Sequence, residues 1–376
     1  MSLLMSLGLI VLCCLIIWRA SDGFEAASEY LGRNLTDGVR GATINAIGSS
    51  MPELFTTLWF LFVLHDRDGF AGGIGTTAGS AVFNAMVIPA VVIFAVLMVG
   101  LAKSVNVSKK VILRDGISLL VAEFVLIFLV SGDTLSWWHG LVLMAMYGVY
   151  VIVLFAGMTS SDSDDSDDSD DDEDDEDDVP ASVLTSLFTL DLENVFIRGG
   201  ITKSSAWTLL LVSMAVIGGS CALLVHACEG AAGELGVATY FVAVILASAA
   251  TSVPDTILSY RDAMNGDYDD AVANALGSNI FDVCFALGFP LFVYTIMYGD
   301  ISMSTETVEN ITELRVLLLG STALAFLIFL FGKGMSRIHA FLLLTVYVLF
   351  TAFILAKASE ASWAIELGQR LQNLIL

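Results

Sequence analysis

The chain is expected to be an all-α membrane protein whose ten transmembrane helices form two inverted-topology five-helix repeats. Three observations lead there. Mean hydropathy is +0.81 and 56% of the 376 residues are hydrophobic. They gather in runs of about 20 residues, the length that crosses a hydrocarbon core. One motif occurs twice: Gly48-Ser49-Ser50-Met51-Pro52-Glu53-Leu54 returns as Ala250-Thr251-Ser252-Val253-Pro254-Asp255-Thr256. Each copy sets hydroxyls, a proline and a carboxylate in an apolar run, where proline removes a helix hydrogen bond and a charge is costly. Each half carries five spans, an odd number, so the second half enters the bilayer in the opposite sense to the first.

The first repeat occupies residues 1–158. Its opening span, Leu3 to about Tyr30, has a polar second half (Arg19, Asp22, Glu25, Glu29) that must pack on protein or line a wet cavity. The second span, about Gly38–Leu64, is interrupted at Pro52. The third, about Gly72–Val99, begins with Gly73, Gly75, Gly79, Ser80 and Ala81, small residues that let helices approach closely. Val111–Val130 and Leu135–Met158 complete the half. Residues 159–203 are expected to form an acidic cytoplasmic loop and a short amphipathic helix on the membrane surface. Its apolar stripe would be Leu184, Leu187, Phe188, Val195 and Phe196, and its polar face would include Asp191 and Glu193. The second repeat, 204–357, contains Ala206–Cys228, Val237–Tyr260, Ala271–Tyr298, Leu314–Phe331 and Ile338–Ala356; residues 358–376 form a C-terminal tail. Two further echoes keep the same order. Gly79-Ser80-Ala81-Val82-Phe83-Asn84 returns as Gly277-Ser278-Asn279-Ile280-Phe281-Asp282, and Leu31-Gly32-Arg33 as Leu235-Gly236-Val237.

Net charge is −24, yet 14 of the acidic residues lie in Asp162–Asp178, a run expected to be a disordered, solvated linker. No basic patch suggests nucleic acid as a partner. The five cysteines (Cys13, Cys14, Cys221, Cys228, Cys284) fall in or beside apolar runs without ligand spacing, and read as small buried hydrophobes. Met1–Trp18 lacks a basic n-region and is expected to be a retained first helix. Lys103, Lys109, Lys110, Arg114, Arg198, Lys203, Arg261, Lys333 and Arg337 all fall on one side, which the positive-inside rule makes cytoplasmic. Arg67, Arg315, Lys357 and Arg370 fall on the other, so the N-terminus lies outside and the plasma or inner membrane is the expected location. Of the sequons, only the one at Asn310 would face outside; those at Asn34 and Asn106 would not. No nucleophile–base pair or phosphate-binding glycine loop points to an enzyme.

Helical spacing then assembles a site. Ser49 and Glu53, Ser80 and Asn84, Thr251 and Asp255, and Ser278 and Asp282 are each at i and i+4, so each pair shares one helix face. Ser50 and Ser252 add hydroxyls beside the acids. Four such faces converging build an all-oxygen cage, with Glu53, Asp255 and Asp282 as charged ligands. Unwinding near Pro52 and Pro254 would free carbonyls as well, those of Ala46 and Ser248. Such a cage suits calcium, and sodium equally, while the absence of His and Cys disfavours zinc or copper. Intramembrane acids are functional by default; Glu123, His226 and Glu229 are read as structural.

These motifs resemble those of the cation/calcium exchanger superfamily, the sodium/calcium antiporters. The likeness lies in Gly48–Glu53 with Gly79–Asn84, and Thr251–Asp255 with Gly277–Asp282, and in span order it covers nearly the whole chain. It implies a secondary antiporter with no cofactor, exchanging Ca2+ for Na+ by alternating access. Spans two, three, seven and eight would form the ion site, and spans one and six would slide across them. By motif position, Glu53 and Asp255 would be the calcium carboxylates; Ser50, Ser80, Ser252, Ser278, Asn84 and Asp282 would complete the sites, with Ser49 and Thr251 in the same shell. Ser49 replaces a common threonine, and Met51 adds bulk where a small residue is common. The acidic loop is too short for the calcium-binding regulatory domains of the animal exchangers, and the Gly-Asn-x-x-Glu repeat of the proton-coupled branch is absent. Asp282 resembles the aspartate of potassium-dependent exchangers. Three ionised acids match three sodium ions, or one calcium with one potassium; with Asp282 protonated, calcium alone balances the rest. The alternatives are therefore a potassium-dependent or proton-coupled exchanger of this fold and, from another class, a calcium-binding channel-like protein.

Overall fold

Backbone inside lipid must satisfy its hydrogen bonds within its own segment, which helices do. The computed structural model describes residues 1–33, 46–64, 67–159, 190–197, 201–331 and 334–372, and is helical nearly throughout. The first half holds α1 (Leu3–Gly32), α2 (Ala46–Ser49), α3 (Met51–Leu64), α4 (Arg67–Val99), α5 (Lys109–Leu129) and α6 (Trp137–Thr159). After α7 (Leu192–Phe196) and α8 (Lys203–Leu235), α9 (Thr239–Val242) passes through a π-helical stretch, Ala243–Ala247, into α10 (Ser248–Thr251) and α11 (Val253–Asn265). Then come α12 (Tyr268–Phe281), a second π-helical stretch (Asp282–Ala286), α13 (Leu287–Tyr298), α14 (Thr305–Leu330), α15 (Arg337–Ala358) and α16 (Ser362–Gln372).

Eight of these helical runs are long and apolar enough to cross a membrane: Leu3–Leu31, Phe70–Val99, Trp137–Ala156, Lys203–Leu235, Thr239–Asn265, Tyr268–Tyr298, Thr305–Leu330 and Arg337–Ala358. The chain is an integral, multi-pass membrane protein. The other two expected spans correspond to α3, with 14 residues, and α5, with 21. The expected start of the former, at Gly38, lies outside the described residues. Several polar groups of α5 are matched internally. Arg114 Nε and Nη2 donate to Asp115 at 2.7 and 2.8 Å, Tyr150 Oη donates to Asp115 at 3.2 Å, and Thr322 Oγ1 donates to Glu123 at 2.8 Å.

The halves run in opposite senses, as the packing of α1 on α8 shows. Gly23, late in α1, lies against Ser213 and Leu209, early in α8, whereas Gly230, late in α8, lies against Met1 and Ser6. Added Cβ atoms would stand 2.9 Å from Ser213 Oγ and 2.8 Å from Met1 Cε, so glycine is what permits the approach. The loops repeat the symmetry. Antiparallel strands β1 (Thr134–Leu135) and β2 (Ile301–Ser302) clasp the α5–α6 loop to the α13–α14 loop. Val105 and Met335 bridge the α4–α5 loop to the α14–α15 loop, the pair related to the first by the repeat. Both fifth helices open on the same cap: the Ser136 N–H donates to His139 Nδ1 (2.9 Å) and the Ser336 N–H to His339 Nδ1 (3.1 Å).

Helix α4 is the axle of the larger apolar core, with Phe70, Ile74, Val82, Met86 and Ile93 fully buried; α1 and α8 form a second core alongside. Arg315, counted by sequence among the basic residues of one face, is instead 1% exposed within α14. It donates to the carbonyls of Leu126 (3.4 Å) and Ile127 (2.6 Å), closing the C-terminal turn of α5. Within the tail, α16 docks with Ala364 and Gly368 buried, and Gln372 Nε2 donates to Glu313 Oε1 at 2.9 Å beside the Lys357–Glu313 ion pair. Helix α7 is a single capped turn, Asp191 Oδ1 accepting from the Asn194 N–H at 3.1 Å. The acidic run Asp162–Asp178, the stripe residues Leu184, Leu187 and Phe188, the Asn34 sequon, Arg198 and Lys333 lie outside the described residues.

Candidate cation site

Proline shapes both halves of the site in the same way. Pro52 is the second residue of α3 and Pro254 the second of α11, a position that tolerates a missing N–H. Each follows a one-residue interruption of the helix, at Ser50 and Ser252. The carbonyls released differ from those expected. Ala46 and Ser248 accept from the N–H groups of Ser50 (3.2 Å) and Ser252 (3.0 Å). The donor is withdrawn instead from Gly48 and Ala250, each four residues before its proline. The interruptions turn the N-terminal ends of α3 and α11 toward the middle of the fold, with Glu53 and Asp255 in their first turns. That is the end of a helix dipole that favours an anion.

Helices α4 and α12 cross there. Gly79 lets α4 also pack closely on the Ala243–Thr251 segment: a Cβ there would meet the Val244 carbonyl and stand 2.8 Å from the Ser248 side chain. Asn279 spans the crossing by donating to the carbonyl of Ala81, its own counterpart in the repeat, at 2.9 Å. Asp282 opens a π-helical stretch, whereas its counterpart Asn84 sits in continuous α-helix. Wider turns of this kind recur at functional sites.

All ten expected site residues are brought together and buried; Ser49 is 6% exposed and the other nine are 0% exposed. Ser80 is the hub. Its Oγ lies 3.0 Å from Glu53 Oε1, 3.0 Å from Asp282 Oδ2 and 2.9 Å from Ser252 Oγ. A hydroxyl has one proton, so Ser80 can donate to only one of these three neighbours at a time. On the other side Ser278 Oγ donates to Asp255 Oδ1 at 2.7 Å, and Asn84 Nδ2 donates to Asp255 Oδ2 at 3.1 Å. Ser49 Oγ lies 3.4 Å from Ser278 Oγ, while Thr251 Oγ1 donates back to the Ser248 carbonyl at 3.1 Å. The arrangement is nearly two-fold: Ser80–Glu53 mirrors Ser278–Asp255. The symmetry fails where the partner of the Asn84–Asp255 bond would join two acids, Asp282 and Glu53, and at the Ser80–Ser252 bond, whose counterpart Ser50 Oγ makes none.

Four buried oxygens of this cluster make no hydrogen bond: Glu53 Oε2, Asn84 Oδ1, Asp282 Oδ1 and Ser50 Oγ. Buried acceptors without donors are costly, and three carboxylates in one buried cluster repel. Hard cations supply what those oxygens lack, so the donor set fits calcium or sodium. Two further residues escape a reading based on acids and hydroxyls. Asn274 Nδ2 donates to Ser259 Oγ at 3.1 Å and to the Asp255 carbonyl at 3.5 Å, and Asn279 holds the crossing. The i, i+4 row Asn274–Ser278–Asp282 was the signal for the first, and the second echo for the other. Glu123, His226 and Glu229 lie outside the cluster; the last two pair with each other at 3.2 Å.

Comparison with known proteins gives concordant matches. A family model described as sodium/calcium exchanger protein matches twice, over residues 5–156 and 205–356. Sodium/potassium/calcium exchanger 3 of Rattus norvegicus is 36% identical over 152 residues, 38% of this chain and 23% of that protein. Sodium/potassium/calcium exchanger 4 of Homo sapiens is 34% identical over 122 residues, 32% of this chain and 18% of that protein. The matches thus span about a quarter or less of these relatives. Among solved structures, the H+/Ca2+ exchanger CAX superposes with a TM-score of 0.62 at 16% identity, over 98% of this chain and 92% of that one. The sodium-calcium exchanger NCX_Mj superposes with a TM-score of 0.53 at 20% identity, over 93% and 99%. At such identities the likeness is one of fold.

Proposed function

The chain belongs to the sodium/calcium exchanger protein family, and from that premise we propose that it is a secondary antiporter exchanging Ca2+ for Na+ by alternating access. One observation supports the reading above the rest. Glu53, Asp255 and Asp282 converge at the crossing of the two repeats, with unpartnered oxygens of Glu53, Asn84 and Asp282 among them. Glu53 and Asp255 serve as the calcium carboxylates. Ser49, Ser50, Ser80, Asn84, Thr251, Ser252, Ser278 and Asp282 supply the remaining oxygens and the sodium positions. The N-terminus lies outside and the acidic loop inside. Residues 1–158 and 204–357 act as the two repeats.

Exchange of three sodium ions for one calcium moves one net charge. A tenfold sodium gradient supplies about 1.4 kcal/mol per ion, and one charge crossing 100 mV about 2.3 kcal/mol. Together these supply about 6.5 kcal/mol, enough to hold a calcium ratio between about 10⁴ and 10⁵. The test is calcium uptake by proteoliposomes holding the full-length chain. Uptake is expected under an outward sodium gradient and accelerated by an inside-positive potential. No gradient-dependent uptake by folded protein refutes the reading, and uptake without any counter-ion assigns a channel. A second reading adds potassium to the cargo. It is favoured by the free Asp282 Oδ1 and by relatives named as sodium/potassium/calcium exchangers.

A further inference from the structure

From the α7 side of the molecule, a cleft leads directly to the cation cluster. It is lined by Trp18, Ser21, Asp22 and Glu25 of α1, by Gly48 and Ser49, and by Pro254, Ile257 and Leu258 of α11. Its free volume is about 10 Å³, room for one water at most. On its α7 side lies a chamber of about 390 Å³, whose walls carry five carboxylates (Asp22, Glu25, Glu29, Asp191, Glu193) and two arginines, Arg19 and Arg261. Asp22 and Glu25 line both spaces, so they form the partition between the chamber and the cluster. Being at i and i+3 on α1, they face the same way. Both face Arg261 of α11, whose Nη2 lies 3.0 Å from Asp22 Oδ1 and whose Nη1 lies 3.8 Å from Glu25 Oε2.

We infer that Arg261 is a gating residue: it latches α1 to α11 across this seam and keeps the cation cluster closed to the chamber. The supporting observations are independent of one another. Parting α1 from α11 widens the cleft, and the Arg261 pair crosses that seam. The two carboxylates it holds are the ones any incoming cation passes on its way to Ser49. The chamber itself is negative in excess, which concentrates cations at its mouth, so without the guanidinium Asp22 and Glu25 would be open to them. Arg261 is about half exposed, at 49%, so the latch is weak enough to release.

This inference rests on the cluster being the ion site proposed above, but its test reads access rather than transport, so the two can fail separately. Ile257 lines the cleft without belonging to the cation cluster. Ile257→Cys, in a full-length chain with its five native cysteines replaced by alanine or serine, provides a thiol whose reaction with an uncharged, water-soluble maleimide is timed. An uncharged reagent removes any influence of the chamber's field. Adding Arg261→Gln is expected to raise the labelling rate up to about fivefold, the range open to a partly exposed ion pair. Arg261→Lys should stay near the parent rate. Should Arg261→Gln fail to fold, the double substitution Asp22→Asn with Glu25→Gln cuts the same latch from the other side and should accelerate labelling equally. In calcium uptake, Arg261→Gln should lower the half-saturating concentration for ions arriving from this side while leaving the maximal rate within about twofold. Unchanged labelling in both latch variants overturns the assignment, as does acceleration by Arg261→Lys equal to that of Arg261→Gln.

Discussion

Replacing Gly79 by alanine should be among the most damaging single-methyl additions to this chain. The new Cβ would meet the Val244 carbonyl oxygen and lie 2.8 Å from both Cβ and Oγ of Ser248. Side-chain obstacles can rotate away, but a backbone carbonyl in a π-helical stretch cannot. Relief therefore requires α4 to withdraw from the Ala243–Ala247 segment by more than half an ångström. Overpacking of this kind costs about 1–3 kcal/mol, and the rigid obstacle puts Gly79→Ala at the upper end. For a chain of this length that lowers the unfolding midpoint by a few degrees. The functional loss should be larger than the loss of stability. Ser80 follows immediately, and its contacts of 2.9–3.0 Å to Ser252, Glu53 and Asp282 do not survive a shift of that size. Thermal unfolding of the detergent-solubilised protein and calcium uptake would be measured beside Gly148→Ala, where no atom lies within 4 Å of the added carbon. The control should behave as the parent. Parent-like midpoint and uptake in Gly79→Ala would refute the close-packed crossing on which the site geometry depends.

Ser80→Ala removes the hub hydroxyl and should raise the calcium concentration for half-maximal uptake by about tenfold, the lower range for a contact to a charged group; ion titration of uptake checks it. Asp282→Asn should retain sodium-driven calcium uptake but lose any stimulation by potassium, and a variant still stimulated like the parent would remove Asp282 from the potassium reading. Arg315→Met removes the charged donor from the Leu126 and Ile127 carbonyls, which keep only the Val130 N–H and the Ser131 hydroxyl, and should cost about 1–3 kcal/mol of stability, seen as a lowered midpoint in thermal unfolding. Deleting Asp162–Asp178 should leave exchange unchanged, and loss of uptake would give that run a role in transport.

The candidate site was largely legible because its markers are local. Glu53, Asp255 and Asp282 stand out as acids in apolar runs, and i, i+4 spacing binds each to a hydroxyl without any knowledge of the fold. What joins the four faces is not local. That Ser80 touches both Glu53 and Asp282, while Asn84 turns to Asp255, follows from how α4 packs on α12 and on the Ala243–Thr251 segment, the latter a matter of glycine clearance at residue 79. The freed carbonyls were misplaced by two residues because the missing donor belongs to the proline itself rather than to the serine two residues before it. The burial of Arg315 was missed because counting basic residues by position ignores depth, and a guanidinium can be held inside when helix-end carbonyls surround it. The echo of Ser136 and His139 in Ser336 and His339 was present in the sequence, but caps at loop ends carry no penalty that makes them conspicuous.

The two loop clasps bear on how such a chain comes to be assembled. Each joins a loop from one half to a loop from the other, and the Asn279–Ala81 bond does the same at the centre. During synthesis α4 is complete long before α11 and α12 exist. Until they arrive, the hydroxyls and amide of its site face must wait in the bilayer without the partners they have in the finished protein. The first half is thus an unfinished product of translation, held open for its counterpart. Two separately produced halves, supplied to the same membrane, would be drawn together by the same unmet bonds.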